Sequence, residues 1–433
     1  MLSRAYWGKS MNNGPLEGVR AIVLTQAWAG SLSTELLGLM GAEVIQIESR
    51  RRLDSWRGSY DGPMPAALTT TETALHSWNC SPNFNAVNLN KRELTLDLQT
   101  EDGIGLFRSL VEHADIVAEN FSPRVMGNLG IDYAELKEIK PDVILCSLSA
   151  YGGDGPWRNI PGIGGTIEPT SGQSSLLGYI DGPPLNSGRM FPDGVAGYYG
   201  FAGLVTALHY RNRTGRGQYI DLSMQDANFT VIGDAVVEQS ATGNVRPRMG
   251  NRHLTFAPHG IFAATGDEQW VALAAESEQQ WAALCEAASH PEWAADERFA
   301  TNDARKTNED DLDAAITAWT SELGRGEIVA ALEAAGVIVA PVLDAFEVAT
   351  DATYRARGYV TEVDHPEAGR HAQIAAPFNF SETPTNVTRP APMLGEHSAE
   401  VLEHFLGVDN EEYERLVAAG VTGDQPPDGA HVG

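Results

Sequence analysis

Apolar residues follow two alternating spacings along the first 150 residues. Compact apolar runs rich in β-branched residues predict strands, and the segments between them carry apolar residues at helical intervals. Such alternation is typical of βαβ units, in which helices cover a parallel sheet. The predicted strands span 19–25, 43–48, 93–98, 115–120 and 142–149, and the predicted helices span 31–41, 100–114 and 123–140.

The pattern changes after residue 150. The segment 150–190 is dense in glycine and proline and predicts a long loop, of a kind that is usually functional or crosses between domains. A helix predicted over 195–210 is apolar nearly all round and should be buried. A strand at 219–224 and a long helical run through Glu238 follow it. Residues 260–340 then predict a smaller α/β unit.

Length, charge and cysteine content narrow the class of protein. A chain of 433 residues is too long for one simple core, so two or three domains are expected. The net charge of −28 argues against nucleic acid or an anionic membrane as a partner, because both require a cationic face. Three widely separated cysteines form no CxxC pair, which predicts neither a disulfide framework nor a metal site.

Targeting and cofactor signals are also missing from the sequence. The N-terminus lacks the apolar core of a secretory signal, and no run approaches the roughly 18 to 20 apolar residues of a membrane span. We therefore expect a cytoplasmic protein. No GxGxxG follows the first predicted strand, so no nicotinamide cofactor is expected.

Asp193 is the main candidate for chemistry. It lies between Pro192 and Gly194 in "SGRMFPDGVAGYYG", just before the predicted buried helix. One interpretation is an N-cap, whose carboxylate accepts from the N–H groups of the first turn. The other is a nucleophile, since those N–H groups and the helix dipole would hold the carboxylate ionised, and Gly194 and Gly197 would let a substrate approach. The two interpretations are compatible.

The chain resembles the family III CoA-transferases from about residue 16 to residue 406. The resemblance rests on the order and spacing of many phrases over that length rather than on any single one. They include "LEGVRAIVLTQAWAGSLSTELLGLMGAEVIQIE", "NFNAVNLNKRELTLDL", "ADIVAENFSPRVMGNLGIDYAEL", "PDVILCSLSAYGGDGP", "DGVAGYYGFAGLVTALHYRNRTGRGQYIDLSMQDA", "GVIVAPVLD" and "APMLGEHSAEVL".

The resemblance implies both a chemistry and a fold. Asp193 falls where the transferases carry the aspartate that becomes acylated, so CoA would move between organic acids through an aspartyl-CoA thioester. Coenzyme A and acyl-CoA would be substrates, with no permanently bound cofactor and no metal. The expected fold is α/β, with a Rossmann-like large domain (1–225), a linker and small α/β domain (226–345) and a C-terminal segment (346–433) returning to the large domain.

The resemblance also implies CoA contacts. Arg50 is the arginine we select from "SRRR", with Arg51 and Arg52 as alternatives, and Asn128 stands where the family often has a basic residue. The implied contacts are Trp28, Ala29, Arg50, Leu96, Asp97, Leu98, Gln99, Asn120, Phe121 and Ser122.

Two other functions remain open at this point. Racemases of the same superfamily use a histidine where this chain has Ile163 in "PGIGG", which makes α-proton exchange harder to arrange. Glu276 matches an assisting glutamate of those enzymes, and His259 is a second candidate for the active site. The other alternative is a non-catalytic CoA-binding subunit that pairs with an active paralogue. The family forms interlocked dimers, so a homodimer is expected, or a heteromer with a paralogue.

Overall fold

The computed structural model describes residues 14–427, so the first 13 residues, where no secretory signal is predicted, lie outside the described part. The contacts divide these residues into two compact units. Unit 1 comprises 14–173, 186–233 and 351–427, and unit 2 comprises 174–185 and 234–350. Part of the predicted loop 150–190 therefore belongs to each unit.

Unit 1 is built on a six-stranded parallel sheet with the order β3-β2-β1-β4-β5-β6. This is the strand order of doubly wound α/β folds, and it confirms the predicted parallel sheet. The strands form because apolar, β-branched runs suit positions buried on both faces. They are β1 (Arg20–Leu24), β2 (Glu43–Glu48), β3 (Lys91–Thr95), β4 (Ile116–Glu119), β5 (Ile144–Ser149) and β6 (Tyr219–Ser223).

Helices cover both faces of this sheet. Thr100 and Asp132 begin two of them by accepting hydrogen bonds from first-turn amides, as expected of N-caps. The helices of unit 1 are α1 (Ala29–Leu39), α2 (Pro82–Asn85), α3 (Glu101–Val111), α4 (Arg124–Asn128), α5 (Tyr133–Ile139), α6 (Gly164–Thr170), α8 (Phe191–Thr214) and α9 (Met224–Phe229). Between α6 and α8, α7 (Gln173–Leu176) begins at the end of a unit 1 segment and continues into unit 2. Short 3-10 turns occur at Ala66–Leu68, Ser77–Asn79 and Thr230–Ile232.

Strand alternation sends side chains into two separate cores. Ile22 and Leu24 of β1 join α3, α5 and the C-terminal helices on one face. Ala21 and Val23 join α1 and α8 on the other. The helices α1 and α8 therefore lie side by side on one face of the sheet, which places the start of α8 near the start of α1.

The C-terminal part of the chain packs on unit 1. The Ser398 hydroxyl accepts a hydrogen bond from the Thr95 amide at 3.2 Å, which ties the last helices to the edge strand β3. This part consists of α17 (Ala352–Ala356), the antiparallel pair β10 (Val360–His365) and β11 (Gly369–Ile374), α18 (Ser398–Leu406) and α19 (Asn410–Ala418). The sequence pattern indicated α18 but not α19.

Unit 2 has a three-stranded antiparallel sheet and its own apolar core around Trp281 and Leu312. The strands are β7 (His259–Ala263), β8 (Trp270–Ala274) and β9 (Ile338–Pro341). The helices are α10 (Gly233–Thr242), which starts at the end of unit 1, α11 (Glu278–Ala287), α12 (Glu292–Ala295), α13 (Asn302–Thr307), α14 (Glu309–Thr320), α15 (Arg325–Ala334) and α16 (Ala345–Thr350).

Several predicted elements differ from the structure. The predicted loop 150–190 contains α6 and α7, and the long helical run predicted to Glu238 is broken into α9, a 3-10 turn and α10. The strand predicted at 93–98 begins two residues earlier, because Lys91 and Arg92 are buried in the ladder despite their charge. Among residues 14–427, no helix combines the length and apolar character needed to cross a membrane.

Candidate active site

Asp193 lies in the first turn of α8 and does not cap it. The helix begins at Phe191, after Met190 in a left-handed conformation (φ 51°), and no side chain caps it. Pro192 is accommodated because first-turn amides have no intrahelical partner to lose. The predicted start at residue 195 and the N-cap interpretation are therefore wrong. The main-chain N–H of Asp193 donates to the Met190 carbonyl at 2.9 Å.

The Asp193 carboxylate is buried and incompletely hydrogen-bonded. The residue is 8% exposed, and its Oδ2 atom has no hydrogen-bond partner among the described residues. Burial raises the pKa of Asp193 to about 6, an effect that its own backbone amide only partly opposes. Desolvation therefore outweighs the helix-terminal stabilisation expected from the sequence. At pH 7 the carboxylate is still mostly ionised.

Gly164, the first residue of α6, lies directly against this carboxylate. A Cβ atom built on Gly164 would come within 2.0 Å of Asp193 Oδ2, so only glycine fits there without a shift. Ile163 immediately precedes it, and its side chain is 62% exposed. The structure therefore brings "PGIGG" next to Asp193, with an apolar side chain at the position that the resemblance compares with a racemase histidine.

A row of glycines on α8 packs against α1. A Cβ atom on Gly197 would meet Leu32 at 2.9 Å, and one on Gly200 would meet Leu148 at 2.9 Å and Ser33 at 3.1 Å. Gly197 thus permits close helix packing and leaves no room for substrate, contrary to the sequence-based expectation. At Gly194 the neighbour is the indole of Trp28, whose Cζ2 atom would lie 3.5 Å from an added Cβ.

The residues implied to contact CoA follow the carboxyl ends of four adjacent strands. Trp28 and Ala29 follow β1, Arg50 follows β2, Leu96, Asp97, Leu98 and Gln99 follow β3, and Asn120, Phe121 and Ser122 follow β4. These ends meet at one edge of the parallel sheet, where ligands bind in open α/β folds. The structure therefore brings the segments together, although individual side chains differ in accessibility.

Several of these side chains are already engaged by the protein. Asn120 Oδ1 accepts from the Gln26 N–H at 2.7 Å, and its Nδ2 donates to the Gln26 carbonyl at 2.8 Å. Ala29 and Leu96 are buried, so their side chains face the interior. Phe121, in contrast, lines a cavity of about 260 Å³ at the ends of β4, β5 and β6.

The three consecutive arginines have different surroundings. Arg50 Nη1 donates to the Gln425 carbonyl at 3.0 Å, and within residues 14–427 no carboxylate lies at ion-pair distance from it. Burial lowers the pKa of its guanidinium. Arg51 instead pairs with Asp97 at 2.8 Å, and Arg52 is exposed. Arg50 is thus a buried cation held by a main-chain carbonyl, and Asp424 is the carboxylate that acts on its charge.

His259 and Glu276 belong to unit 2, and each has a local role there. His259 Nδ1 lies 2.6 Å from the Asn251 carbonyl oxygen, and its ring meets Phe256 edge-on at 5.5 Å. The main-chain N–H of Glu276 donates to Gln280 Oε1 at 2.9 Å, just before α11. For the described part of the chain, no group of three or more His, Cys, Asp or Glu side chains is arranged to hold a metal ion.

Sequence reasoning missed a buried carboxylate that organises the turn before α1. Asp54 Oδ1 accepts from the N–H groups of Ala27 at 2.8 Å and Trp56 at 2.9 Å. Burial and the nearby Glu48 raise the pKa of Asp54 to about 6. An aspartate that accepts from the main-chain N–H two residues later is a common local turn, but nothing in the sequence points to the contact with Ala27.

Comparisons with known proteins agree over most of the chain. The model of CoA-transferase family III matches residues 16–398. Succinyl-CoA–D-citramalate CoA-transferase of Chloroflexus aurantiacus is 30% identical over 408 residues, 94% of this chain and 98% of that protein. The succinyl-CoA–L-malate CoA-transferase beta subunit of the same organism is 31% identical over 405 residues, 93% of this chain and 96% of that subunit. The crystal structure of a CaiB/BaiF family protein from Brucella suis superposes with a TM-score of 0.81 at 31% identity, covering 91% of this chain and 100% of that one.

Proposed function

The chain belongs to CoA-transferase family III, and on that premise we propose that it moves CoA between two carboxylic acids through a covalent thioester on Asp193. The supporting observation is the environment of this carboxylate. Asp193 is buried, its Oδ2 has no hydrogen-bond partner in the described chain, and its pKa lies near 6. An oxygen without hydrogen bonds keeps its lone pairs available, and the group remains ionised at neutral pH.

The first half-reaction transfers CoA to the enzyme. An Asp193 carboxylate oxygen attacks the thioester carbonyl carbon of the donor, the C–S bond breaks, and CoA leaves as a thiolate with the bonding electrons. The thiolate then attacks the Asp193 carbonyl carbon of the mixed anhydride. The bond between Asp193 Cγ and the bridging oxygen breaks, the donor acid leaves as a carboxylate that carries this oxygen, and Asp193 carries CoA as a thioester.

The second half-reaction reverses these steps with the acceptor acid. The acceptor carboxylate attacks the aspartyl thioester and displaces the CoA thiolate, which forms a second mixed anhydride. The thiolate attacks the acceptor acyl carbon, and the Asp193 carboxylate leaves. Each step exchanges one activated acyl bond for another, so the sequence needs no external energy source and conserves the thioester.

Binding of CoA at the edge formed by β3, β2, β1 and β4 is part of the same proposal. We assign the phosphates to Arg50, which has no carboxylate at ion-pair distance within the described chain, and the remaining contacts to the segments that follow β1, β3 and β4. A large domain (1–225 with 346–433) and a small domain (226–345) in an interlocked homodimer, or in a heterodimer with a paralogue, complete the proposal. Equilibrium sedimentation would distinguish a dimer from a monomer.

The test is transfer of CoA between labelled acids. Wild-type protein is incubated with an acyl-CoA panel and isotopically labelled acceptor acids, and the labelled acyl-CoA product is measured. We expect Asp193→Ala to lower kcat by about 10⁴ or more, because it removes the nucleophile. Asp226→Ala is the matched control, since Asp226 is an exposed first-turn aspartate of α9, and it should stay within about twofold.

The same samples distinguish CoA transfer from the racemase alternative. Incubation in deuterated water would introduce deuterium at the substrate α-carbon if the protein exchanged α-protons. The exposed Ile163 beside Gly164 supplies no acid or base for that step. α-Deuteration without CoA transfer would contradict the proposed function.

A further inference from the structure

Two tryptophans pack against each other in the segments that follow β1 and β2. Trp28 precedes α1 and Trp56 follows β2, and their ring centroids are 5.7 Å apart with an interplanar angle of 34°. Both side chains are half-buried, so each ring keeps an open portion. A Cβ atom built on Gly194, the residue after Asp193, would lie 3.5 Å from Cζ2 of the Trp28 indole. The pair therefore forms an aromatic surface that begins beside Gly194, one residue after Asp193.

One carboxylate oxygen fixes the main chain beside both rings. Asp54 Oδ1 accepts from the N–H groups of Ala27 and Trp56, one on each side of the aromatic pair. Ala27 has a left-handed conformation (φ 55°) that is costly for a residue with a Cβ and persists only when its surroundings enforce it. The Ser81 hydroxyl donates to the Trp56 carbonyl at 2.5 Å, which fixes the other end of that residue.

A dicarboxylic acyl group carries a second carboxylate, which needs hydrogen-bond donors or a positive charge near Asp193. Burial raises the pKa of Asp193, and within residues 14–427 no charged side chain contributes to that shift. A second carboxylate on the acyl group would lose its hydration next to two indole rings, which cannot replace the lost hydrogen bonds. An apolar acyl group would instead pack against the rings. Each methylene group removed from water should raise its affinity about fourfold.

We propose that Trp28 and Trp56 form an apolar wall beside Asp193 that selects acyl-CoA thioesters of apolar monocarboxylic acids, such as hexanoyl or benzoyl, over those of dicarboxylic acids. The wall rests on the proposed function, since it acts on the acyl group that Asp193 attacks. Trp28 and Trp56 are specificity-determining residues, and Asp54 is the positioning residue that holds both.

The test compares donor thioesters in a single turnover. Enzyme in excess is mixed with hexanoyl-CoA, benzoyl-CoA or succinyl-CoA, and release of the donor acid is followed by rapid quench. In the wild type, hexanoyl-CoA should react at least about tenfold faster than succinyl-CoA. Trp28→Gln should lower that ratio at least about tenfold, mainly by slowing hexanoyl-CoA, whereas Trp28→Phe should keep it within about threefold because the aromatic surface remains.

Two further variants serve as a check on folding and location. Trp56→Ala removes the far end of the wall and should shift the ratio in the same direction as Trp28→Gln. Trp270→Phe alters a partly exposed tryptophan of β8 in unit 2 and should leave the ratio unchanged.

The outcomes separate the wall from the chemistry. The proposed selectivity is wrong if the wild type releases succinate as fast as hexanoate, or if Trp28→Gln leaves the ratio of the two rates unchanged. Either result would leave transfer through Asp193 intact. If no thioester releases its acid in a single turnover, the proposed function itself fails, and the wall fails with it.

Discussion

Buried carboxylates of unit 1 differ in whether the protein supplies hydrogen-bond donors to their oxygens. Glu48 and Glu93 flank Arg57, whose Nε lies 2.9 Å from Glu48 Oε2 and whose Nη2 contacts Glu93 Oε2. The remaining oxygens also have partners, because Glu48 Oε1 accepts from the Asp54 N–H at 2.9 Å and Glu93 Oε1 from the Gly395 N–H at 3.1 Å. Asp193, in contrast, has a buried oxygen without any partner among the described residues.

The difference shows that burial alone does not mark a reactive carboxylate. Burial raises the pKa of Glu93 well above its usual range, against the opposing effect of Arg57, and it raises the pKa of Asp193 to about 6. Each Glu93 oxygen nevertheless has a donor, so this carboxyl group is part of a buried hydrogen-bonded network that holds the fold together. Asp193 has no such compensation, so its charge costs stability, and such a cost is typical of residues retained for function.

The same chemical change should therefore have opposite effects in the two places. Glu93→Gln replaces a carboxylate oxygen that accepts from Arg57 or from the Gly395 N–H with an NH2 group, and the broken buried network should lower the free energy of unfolding by about 3 to 5 kcal/mol. Asp193→Asn removes an uncompensated buried charge and should raise it by about 2 to 3 kcal/mol at pH 8. Chemical denaturation of both variants against the wild type measures the two values.

The pH dependence of the change in unfolding free energy caused by Asp193→Asn tests whether that change is electrostatic. The pKa of Asp193 is raised from an ordinary 3.8 to about 6 in the folded protein, so the folded state binds this proton more tightly than the unfolded state. The contribution of protonated Asp193 to the free energy of unfolding of the wild type is therefore lost as pH rises from about 4 to about 6. The gain from Asp193→Asn should be complete above that window and nearly absent below it. A gain of equal size at pH 4 would contradict an electrostatic origin.

A smaller effect is expected from the glycine that contacts Asp193. Gly164→Ala places a Cβ where Asp193 Oδ2 now lies, so the carboxylate must move. We expect kcat/KM to fall about tenfold to a hundredfold, because small displacements of a reacting group are costly. Gly165→Ala is the matched control, since the space around a Cβ at Gly165 is open, and it should change kcat/KM less than about threefold. Equal effects of the two variants would show that the contact is unimportant.

The sequence pattern predicts the sheet better than the site. Strands such as β1 and β5 are buried on both faces and therefore stand out as apolar runs. The sequence pattern predicts the start of α8 at residue 195 instead of Phe191. Pro192 does not resolve the two, because proline is compatible both with the first turn of a helix and with the segment that precedes a helix. The positions of Gly164 and Asp54 could not be predicted, since each acts through a contact with a residue distant in sequence.

The most direct test of the central claim is the mass of the protein after incubation with acyl-CoA. Intact and peptide masses are measured with and without hydroxylamine, which cleaves an aspartyl thioester or anhydride. We predict a CoA-dependent mass gain on the peptide that contains Asp193; hydroxylamine should replace it with the small mass gain of an aspartyl hydroxamate, and Asp193→Ala should show neither. A mass gain on another residue, or none with any thioester despite CoA binding, would contradict the assignment of Asp193 as the nucleophile.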